Sequence, residues 1–241
     1  MGSFALVDVT TYIGGYDMTT DMNQISLNLS ADEKDSTTFG NGGWRSRVGS
    51  HKDISGELAG YWGAGTPSVD AEAFANLGVA DRVITMTPTG VEASTAYLWR
   101  GEKFGYELFG GIGDVTPFSL SLQGSHGQGM ARGTLLKARG NVSATGATGS
   151  AVQITGGVPT GLALHGSFHV FTAGTTVTAV VESDDNSGFT TPTTRLTFGP
   201  LTSSQGVISR LAGPITDTWF RLRVSAITGT FNVACAIGIG V

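Results

Sequence analysis

The sequence predicts an all-β protein, and three features of its composition and patterning support that class. Glycine accounts for 37 of the 241 residues, about twice the usual share. Charged residues make up only 14% of the chain, and the long polar side chains that favour helices are scarce. Apolar and polar residues alternate with a period of two in many short segments. We therefore expect many short strands joined by glycine-rich turns.

Alternating segments occur along the whole chain, and each assigns one face of a strand to a core. The final strand, Phe231 to Val241, alternates bulky residues with Ala and Gly. We expect it to be paired inside a sheet, because a chain end that is not held usually frays. Its small-residue face suits close packing by another layer or subunit. The other predicted core faces consist of Ile25, Leu27 and Leu29; Ile54, Leu58 and Trp62; Phe118, Leu120 and Leu122; and Phe220, Leu222 and Val224.

One short helix is predicted over residues 69–77. Ser68 is suited to be its N-cap, acidic residues follow in the first turn, and Gly78 is suited to end it. Ala71, Phe74 and Leu77 form the predicted buried stripe. A helix this short needs a sheet to lie on.

The composition changes near residues 139–153, which are small, polar and glycine-rich. Residues 1–140 contain 10 Lys and Arg against 15 Asp and Glu, whereas residues 141–241 contain 4 of each. We place a domain boundary there, with one β unit at 1–140 and a second at 141–241.

The histidines do not predict a metal or catalytic site. His165 and His169 lie on the same face of one strand, about 13 Å apart, too far to ligate one metal side by side. We interpret them as polar surface residues. The segment GSHGQG around His126 is interpreted as a hairpin loop rather than part of a catalytic triad, since the G-x-S-x-G elbow is absent.

Other reactive residues are interpreted in the same way. Asp184 and Asp185 lie in ESDDNSGF, a segment typical of a turn between strands, with calcium binding left as an alternative. Cys235 is the single cysteine, so it cannot form a disulfide within the chain, and we expect it to be buried. We predict no enzyme activity, no cofactor and no metal.

The chain offers no signal for nucleic-acid or membrane binding. Its net charge of −5 gives no general affinity for nucleic acid, and the phosphate-binding pattern G-x-x-x-x-G-K-[ST] is absent. No stretch approaches about 18 uninterrupted apolar residues. The apolar run at the start meets Asp8 early, so we expect no signal peptide.

The segment TTFGNGGWRSRVG (37–49) combines glycines with residue types that are enriched at protein–protein interfaces. We predict that Phe39, Trp44, Arg45 and Arg47 contact another subunit, which could supply carboxylates for the two arginines. An exposed loop whose Trp44 packs on its own domain is the alternative. Trp44, Tyr61 and Trp62 are also candidates for a sugar-binding platform, although such aromatic residues more often pack in cores or interfaces.

Several segments carry a family resemblance. They are YIGGYDMTTDMN, the stretch from DSTTFG to GWRSR (Asp35–Arg47), SGELAGYW, and in the second half ESDDNSGFTTPTTRLTFGP and GPITDTWFRLRVSAITGTF. Together they resemble the major tail (tail tube) proteins of long-tailed bacteriophages of the siphophage type, especially those with actinobacterial hosts. The resemblance implies a β-sandwich tail-tube-like unit with one short flanking helix, followed here by a second β-sandwich-like unit.

The resemblance also implies a function. Such proteins form hexameric rings whose inward strands join into a continuous β-barrel, and the rings stack into the tube that conducts DNA during ejection. The chain would then be a virion protein of the phage tail, made in the bacterial host cytoplasm. Its partners would be copies of itself, tape measure and tail terminator proteins, and viral DNA that passes without sequence-specific binding.

An acidic chain suits such a conduit, whose lumen should be negative or neutral. The lumen-facing acidic candidates are Asp32, Glu33, Asp35 and Glu57. Two alternatives remain open: a capsid or tail decoration protein, and a carbohydrate-binding β-sandwich used in host adsorption.

Overall fold

The structure is a computed structural model that describes residues 9–241 except Ala64, Thr66, Ala80 and His126. The predictions made above for Asp8 and His126 therefore lie outside the described residues. Within the described part, the regular structure consists of fifteen strands, one 3-10 turn and one α-helix, α1 (Val69–Ala75), so the all-β prediction is confirmed. The strands are β1 (Thr10–Ile13), β2 (Tyr16–Asp17), β3 (Met22–Asp35), β4 (Arg47–Tyr61), β5 (Arg82–Thr87), β6 (Thr95–Leu108), β7 (Pro117–Gly124), β8 (Ala131–Val142), β9 (Gly146–Gln153), β10 (Ala163–Thr172), β11 (Thr176–Asp184), β12 (Thr193–Leu201), β13 (Gln205–Ala212), β14 (Trp219–Thr228) and β15 (Phe231–Gly240).

The strands form two antiparallel sheets. The larger sheet has the order β13-β10-β15-β8-β6-β5-β1-β2, and β6 also pairs with β7, which continues through β4 to β3. The smaller sheet has the order β12-β11-β14-β9. The first half of β6 pairs with β8 and β5, while its second half pairs with β7. β6 therefore connects the body of the protein to a four-stranded branch, β6-β7-β4-β3.

The smaller sheet packs on the β13-β10-β15-β8 part of the larger sheet and forms a β-sandwich. Its core contains Phe220, Leu222 and Val224 of β14, all fully buried, which confirms the alternation predicted for this strand. The rings of Phe168 and Phe198 stack across this core with their centroids 5.4 Å apart. The two sheets are thus held together by interdigitated apolar side chains.

The final strand, β15, lies between β10 and β8, so the prediction that it is paired inside a sheet is confirmed. Its bulky residues, such as Phe231 and Ile237, face the sandwich core. Ala234 and Ala236 pack on residues of β1, β6 and β8, so the layer over the small-residue face belongs to the same chain. Val241 was expected on the bulky face, but it follows the end of the strand and is exposed.

The prediction that His165 and His169 are surface residues is wrong, because both are buried. Strand β10 is covered on two sides: Phe168 faces the sandwich core, and the histidines face the layer that contains Tyr12 of β1 and Thr85 of β5. Burial lowers the pKa of His169 to about 4, and burial together with the nearby Arg210 charge lowers the pKa of His165.

A second core lies under the four-stranded branch. Phe118, Leu120 and Leu122 of β7 are buried there as predicted, together with Leu58 of β4. Leu29 was predicted to share this core face, but it is exposed because β3 has already left the body of the protein at that point. The other residues that the alternation assigned to this face are the buried Ile54, the half-buried Ile25 and Leu27, and Trp62, which is half-buried just beyond the end of β4.

Helix α1 packs on the same core. Ser68 is its N-cap as predicted, because the Ser68 side chain accepts a hydrogen bond from the backbone N–H of Ala71 at 3.1 Å. The predicted buried stripe of Ala71, Phe74 and Leu77 is wrong, since the structure exposes all three and buries Val69 and Ala73. The helix also ends at Ala75, two residues earlier than predicted.

The reason for this orientation is a buried polar contact behind the helix. The Nζ of Lys103 donates to the backbone oxygen of Glu72 at 2.8 Å and to its Oε1 at 3.0 Å, and Arg82 contacts the same carboxylate. Lys103 is fully buried. Burial lowers its pKa to about 8, although the Glu72 charge opposes that change. The contact therefore fixes which side of α1 faces the sheet.

The domain boundary at 140/141 stays a prediction. It falls within β8, which pairs with β6 of the first unit and with β15 of the second. The sandwich core and the core under the four-stranded branch are separate clusters, yet one sheet runs through both units.

Candidate functional site

The hairpin of β3 and β4 extends well beyond the body of the protein. No side chain from residue 29 to residue 53 is buried, and we call this segment the arm. Seven residues of β3 lie in the arm, which corresponds to roughly 23 Å of strand. Among the described residues, β3 pairs only with β4, so the arm is a two-stranded ribbon without a core of its own. Such a ribbon is only marginally stable without a partner to pack on.

The tip of the arm is shaped by its glycines. A single 3-10 turn, Phe39–Asn41, begins after Thr38, whose hydroxyl lies 2.7 Å from Oδ1 of Asn41. Gly42 and Gly43 follow with φ of +60° and +87°, a conformation that glycine adopts at little cost. This turn leaves Phe39 fully exposed and Trp44 81% exposed. The segment therefore displays two aromatic rings on a tightly turned ribbon, and Trp44 is not packed on its own domain.

The two arginines of the arm differ. The guanidinium of Arg47 lies 3.0 Å from Glu33 on the opposite strand, so the carboxylate expected from a neighbouring subunit comes from the same hairpin. Both side chains are more than half exposed, and a pair of that kind contributes about 0–1 kcal/mol. Arg45 has no ion-pair partner among the described residues.

Asp32 and Asp35 are also exposed on the arm. The backbone N–H of Thr37 donates to Asp35 at 2.8 Å, and hydrogen bonds from Thr37 lower the pKa of Asp35. Three of the four predicted lumen-facing carboxylates, Asp32, Glu33 and Asp35, thus lie on the arm. Glu57 lies apart from them, within the body of the sheet.

Glu57 lies on a polar sheet face that the sequence did not reveal. Glu57 of β4 lies between Ser26 of β3 and Ser121 of β7. On the next strand, β6, Glu107 lies opposite Ser119 and Glu102 lies opposite Gln123, both on β7. We call this surface the acidic face. Its ten polar residues, three of them carboxylates and none a lysine or arginine, are Gln24, Ser26, Asn28, Ser55, Glu57, Glu102, Glu107, Ser119, Ser121 and Gln123, and Ala59 and Gly105 lie among them. The next position on this side of β6 is Arg100, whose guanidinium pairs with Asp81 at 3.0 Å.

Glu102 and Glu107 were missed because they join Glu57 only through the register across β7. The alternation of β6 is also interrupted by a register shift between Lys103 and Gly105. Serines at every second position of β7 were the available signal that one side of this sheet faces away from the core.

The proposed sugar-binding platform is not assembled. Trp44 lies at the arm tip, whereas Tyr61 and Trp62 lie at the other end of β4, which is about 46 Å long. No group of three His, Cys, Asp or Glu side chains among the described residues is placed to hold a metal ion.

Asp184 makes the predicted turn, since its carboxylate accepts from the backbone N–H groups of Asn186 and Thr191. Cys235 is buried, which raises its thiol pKa.

No protein-family model and no curated protein matches the chain. Among solved structures, it is similar to a chain in the virion of a native gene transfer agent particle, with a TM-score of 0.43 and 14% identity over 52% of this chain and 95% of that chain. It is similar to the SPP1 Dit (gp 19.1) protein, a hub of the adsorption apparatus in phages that infect Gram-positive hosts, with a TM-score of 0.39 and 13% identity over 95% and 98%. It is also similar to a chain of the phage p2 baseplate, with a TM-score of 0.36 and 10% identity over 95% and 98%. In the part of the chain that the structure describes, no helix has the length and hydropathy needed to cross a membrane.

Proposed function

We propose that this chain is a structural protein of a bacteriophage tail whose copies form rings, with the acidic face lining the central channel. The observation that carries the proposal is the acidic face itself. It is a sheet surface with three carboxylates and no cation among its ten polar residues, backed by an apolar core. Solvent-exposed sheet faces normally mix both signs of charge.

A channel lined in this way suits the passage of DNA. Carboxylates repel phosphate groups, so the wall does not retain the duplex. Lysine and arginine side chains would instead bind phosphates by releasing counterions. Serine and glutamine side chains keep the rest of the wall polar without adding positive charge.

The open edges of the branch indicate how a ring would close. On one side, β3 offers an unpaired edge of 14 residues among the described part of the chain. On the other side, beyond the bridge between Leu77 and Lys103, β6 is paired only with β7 as far as the structure describes it. This free part of β6 spans residues 104–108. Exposed strand edges invite pairing with another chain. Pairing β3 of one copy with β6 of the next joins the branches into a closed barrel, an arrangement that removes both edges.

Within this proposal the chain is the major tail tube subunit, its rings are hexameric, and they stack into a tube, as the family resemblance implies. Phe39, Trp44, Arg45 and Arg47 at the arm tip serve contacts between copies. Asp32, Glu33 and Asp35 on the arm stay candidates for the lumen, and Glu57 lines the channel together with Glu102 and Glu107. The C-terminal sandwich lies outside the barrel. Tape measure and tail terminator proteins complete the set of partners, and DNA passes without sequence-specific binding.

Negative-stain electron microscopy of the purified protein across a concentration series tests the proposal. Stacked hollow rings with six-fold symmetry and a central channel are expected. Closed rings that never elongate would support the ring but not the tube, and would indicate a hub that ends a tail. Uniform particles of monomer size at every concentration would contradict ring formation and favour a decoration protein.

A further inference from the structure

A second exposed apolar surface lies in the loop between β6 and β7. We call residues 109–116 the apolar loop. Phe109 is 72% exposed, Val115 is 69% exposed and Ile112 is fully exposed. Tyr61, which pairs with Pro117 at the base of this loop, is also exposed. Single exposed apolar residues are ordinary, but three large ones within one short loop indicate an interaction site.

The apolar loop and the arm tip lie at opposite ends of one sheet. Tyr61 of β4 lies opposite Pro117, next to the loop, and Ser55 lies opposite Gln123 at the other end of β7. From there β4 continues in the opposite direction from the loop, towards the arm tip. The strand between Arg47 and Tyr61 measures about 46 Å, so the tip and the loop of one chain cannot touch each other.

The two surfaces are complementary in chemistry. The arm tip offers the exposed rings of Phe39 and Trp44 beside the cation of Arg45. The apolar loop offers aliphatic and aromatic side chains beside the carboxylate of Asp114, which is exposed. Neither Arg45 nor Asp114 has an ion-pair partner among the described residues. Aromatic anchors with an adjacent charge pair are typical of the centre of a protein–protein interface.

We propose that the apolar loop receives the arm tip of a second copy of this chain, with Asp114 facing Arg45 of that copy. The proposal rests on the ring-forming function above and names the surface that connects one ring to the next. Because the two surfaces differ and lie at opposite ends of the sheet, the contact is head-to-tail and repeats without limit along one direction. Rings joined in this way form a tube rather than a closed pair.

Another concave surface of the chain is less suited to the arm tip. A groove of about 890 Å³ at the base of the arm is lined by Leu29, Met130 and Val241. It also carries Lys52 and Arg210, against the single carboxyl side chain of Asp53. These two cations would lie beside Arg45 of a bound tip, and like charges placed close together weaken an interface.

Cysteine cross-linking tests the contact directly in the full chain. The native Cys235 is fully buried and gives no background. Gly40 at the tip accepts a Cβ atom with only an ordinary contact to Thr38, so Gly40→Cys keeps both aromatic rings in place. The double variant Gly40→Cys, Val115→Cys is oxidised under assembly conditions. The matched control is Gly40→Cys, Val91→Cys, because Val91 is exposed but precedes β6 at the end away from the apolar loop.

A ladder of disulfide-linked multimers is expected for the Val115 variant and not for the Val91 control. Tubes in the microscope without such a ladder would overturn this contact while leaving the proposed function standing. A failure to form rings or tubes under any condition would overturn the proposed function, and this inference with it.

Charge exchange provides an independent readout. Arg45→Glu and Asp114→Arg are each expected to raise the protein concentration needed for half-maximal tube formation by about tenfold or more. The combined variant should recover most of that loss, because it restores one positive and one negative partner. A combined variant that assembles no better than the worse single variant would contradict the pairing.

Discussion

The imidazole of His169 on β10 lies 2.8 Å from the hydroxyl oxygen of Thr85 on β5, and the contact joins the sheet of the C-terminal sandwich to the N-terminal unit. The other ring nitrogen, Nδ1, lies 2.7 Å from the backbone oxygen of Gly14. Because a carbonyl oxygen only accepts, Nδ1 must carry a proton. Burial lowers the pKa of His169 and keeps the ring neutral, so Nε2 accepts from Thr85. The Thr85 oxygen in turn lies 2.8 Å from the hydroxyl of Ser167. A neutral imidazole therefore satisfies every member of this buried network.

We expect His169→Ala to lower the free energy of unfolding by roughly 2–4 kcal/mol. The substitution leaves a cavity and removes one hydrogen-bonding partner of Thr85 and the side-chain partner of the Gly14 carbonyl in a fully buried site. Urea denaturation at pH 7.5 measures the effect. His51→Ala is the control, because His51 is exposed on the arm and should change the stability by no more than about 0.5 kcal/mol. Equal effects of the two substitutions would contradict the structural role of His169.

The same histidine should make the protein sensitive to acid. Burial lowers the pKa of His169 from 6.5 to about 4, so the unfolded chain takes up the proton first as the pH falls. Its contribution to stability is complete above pH 6.5 and is lost as the pH falls from there to about 4. The full loss amounts to roughly 3 kcal/mol.

Urea denaturation of the wild type and of His169→Gln at pH 7.5 and pH 4.5 isolates this contribution, because the carboxylates titrate in both proteins. The wild type should lose more stability between the two pH values than the variant. Equal losses would show that His169 is not held neutral.

The features that the sequence predicted correctly are local ones. Alternation along β7 and β14 identifies Phe118 and Phe220 as core residues because the period of two belongs to the strand itself. Ser68 caps the helix as predicted, since capping involves neighbouring residues. Its buried side was predicted wrongly, because Val69 and Ala73 face the sheet through the contact of Glu72 with the distant Lys103.

The features that the sequence did not predict depend on register and layering. The segment LHGSFHVF predicts a surface position for His169, because nothing in it indicates that a second layer covers β10. Glu102 and Glu107 lie on the same face as Glu57 only through the pairing of β6, β7 and β4. The residue types of the arm tip alone indicate an interaction surface, but the pairing of Arg47 with Glu33 depends on the register of the hairpin.

The contact of Glu72 with Lys103 predicts an asymmetry between two substitutions. Glu72→Ala leaves the buried Lys103 ammonium without a carboxylate, and we expect a loss of roughly 3–5 kcal/mol. Lys103→Met fills the site with an apolar side chain and leaves Glu72 in contact with Arg82, so its effect should stay within about 1 kcal/mol. Thermal and urea unfolding measure both variants.

Glu33→Ala is the matched control, because it removes an exposed ion pair that contributes only about 0–1 kcal/mol. If Lys103→Met lowers the free energy of unfolding as much as Glu72→Ala does, the lysine itself stabilises the position of α1. An unpaired buried charge would then not explain the loss in Glu72→Ala.

The acidic face predicts how a single charge reversal should change the behaviour of assembled rings towards DNA. Glu57→Lys in a hexameric ring places one lysine per copy around the channel, where a threaded duplex presents its phosphates. If six or more such contacts form, binding should weaken by roughly a thousandfold between about 50 and 200 mM salt, because each contact releases counterions. Wild-type assemblies should show no comparable binding at either salt concentration.

Fluorescence anisotropy of a short labelled duplex with assembled protein measures this binding. Asp185→Lys is the control, since it makes the same change in net charge at an exposed turn of the C-terminal unit. Weak binding by that variant is expected, because its lysines lie outside the barrel and cannot act together on one duplex. Equal binding by the two variants would mean that a lysine at position 57 contacts DNA no better than a lysine at position 185. The acidic face would then have to be assigned to the outside of the assembly.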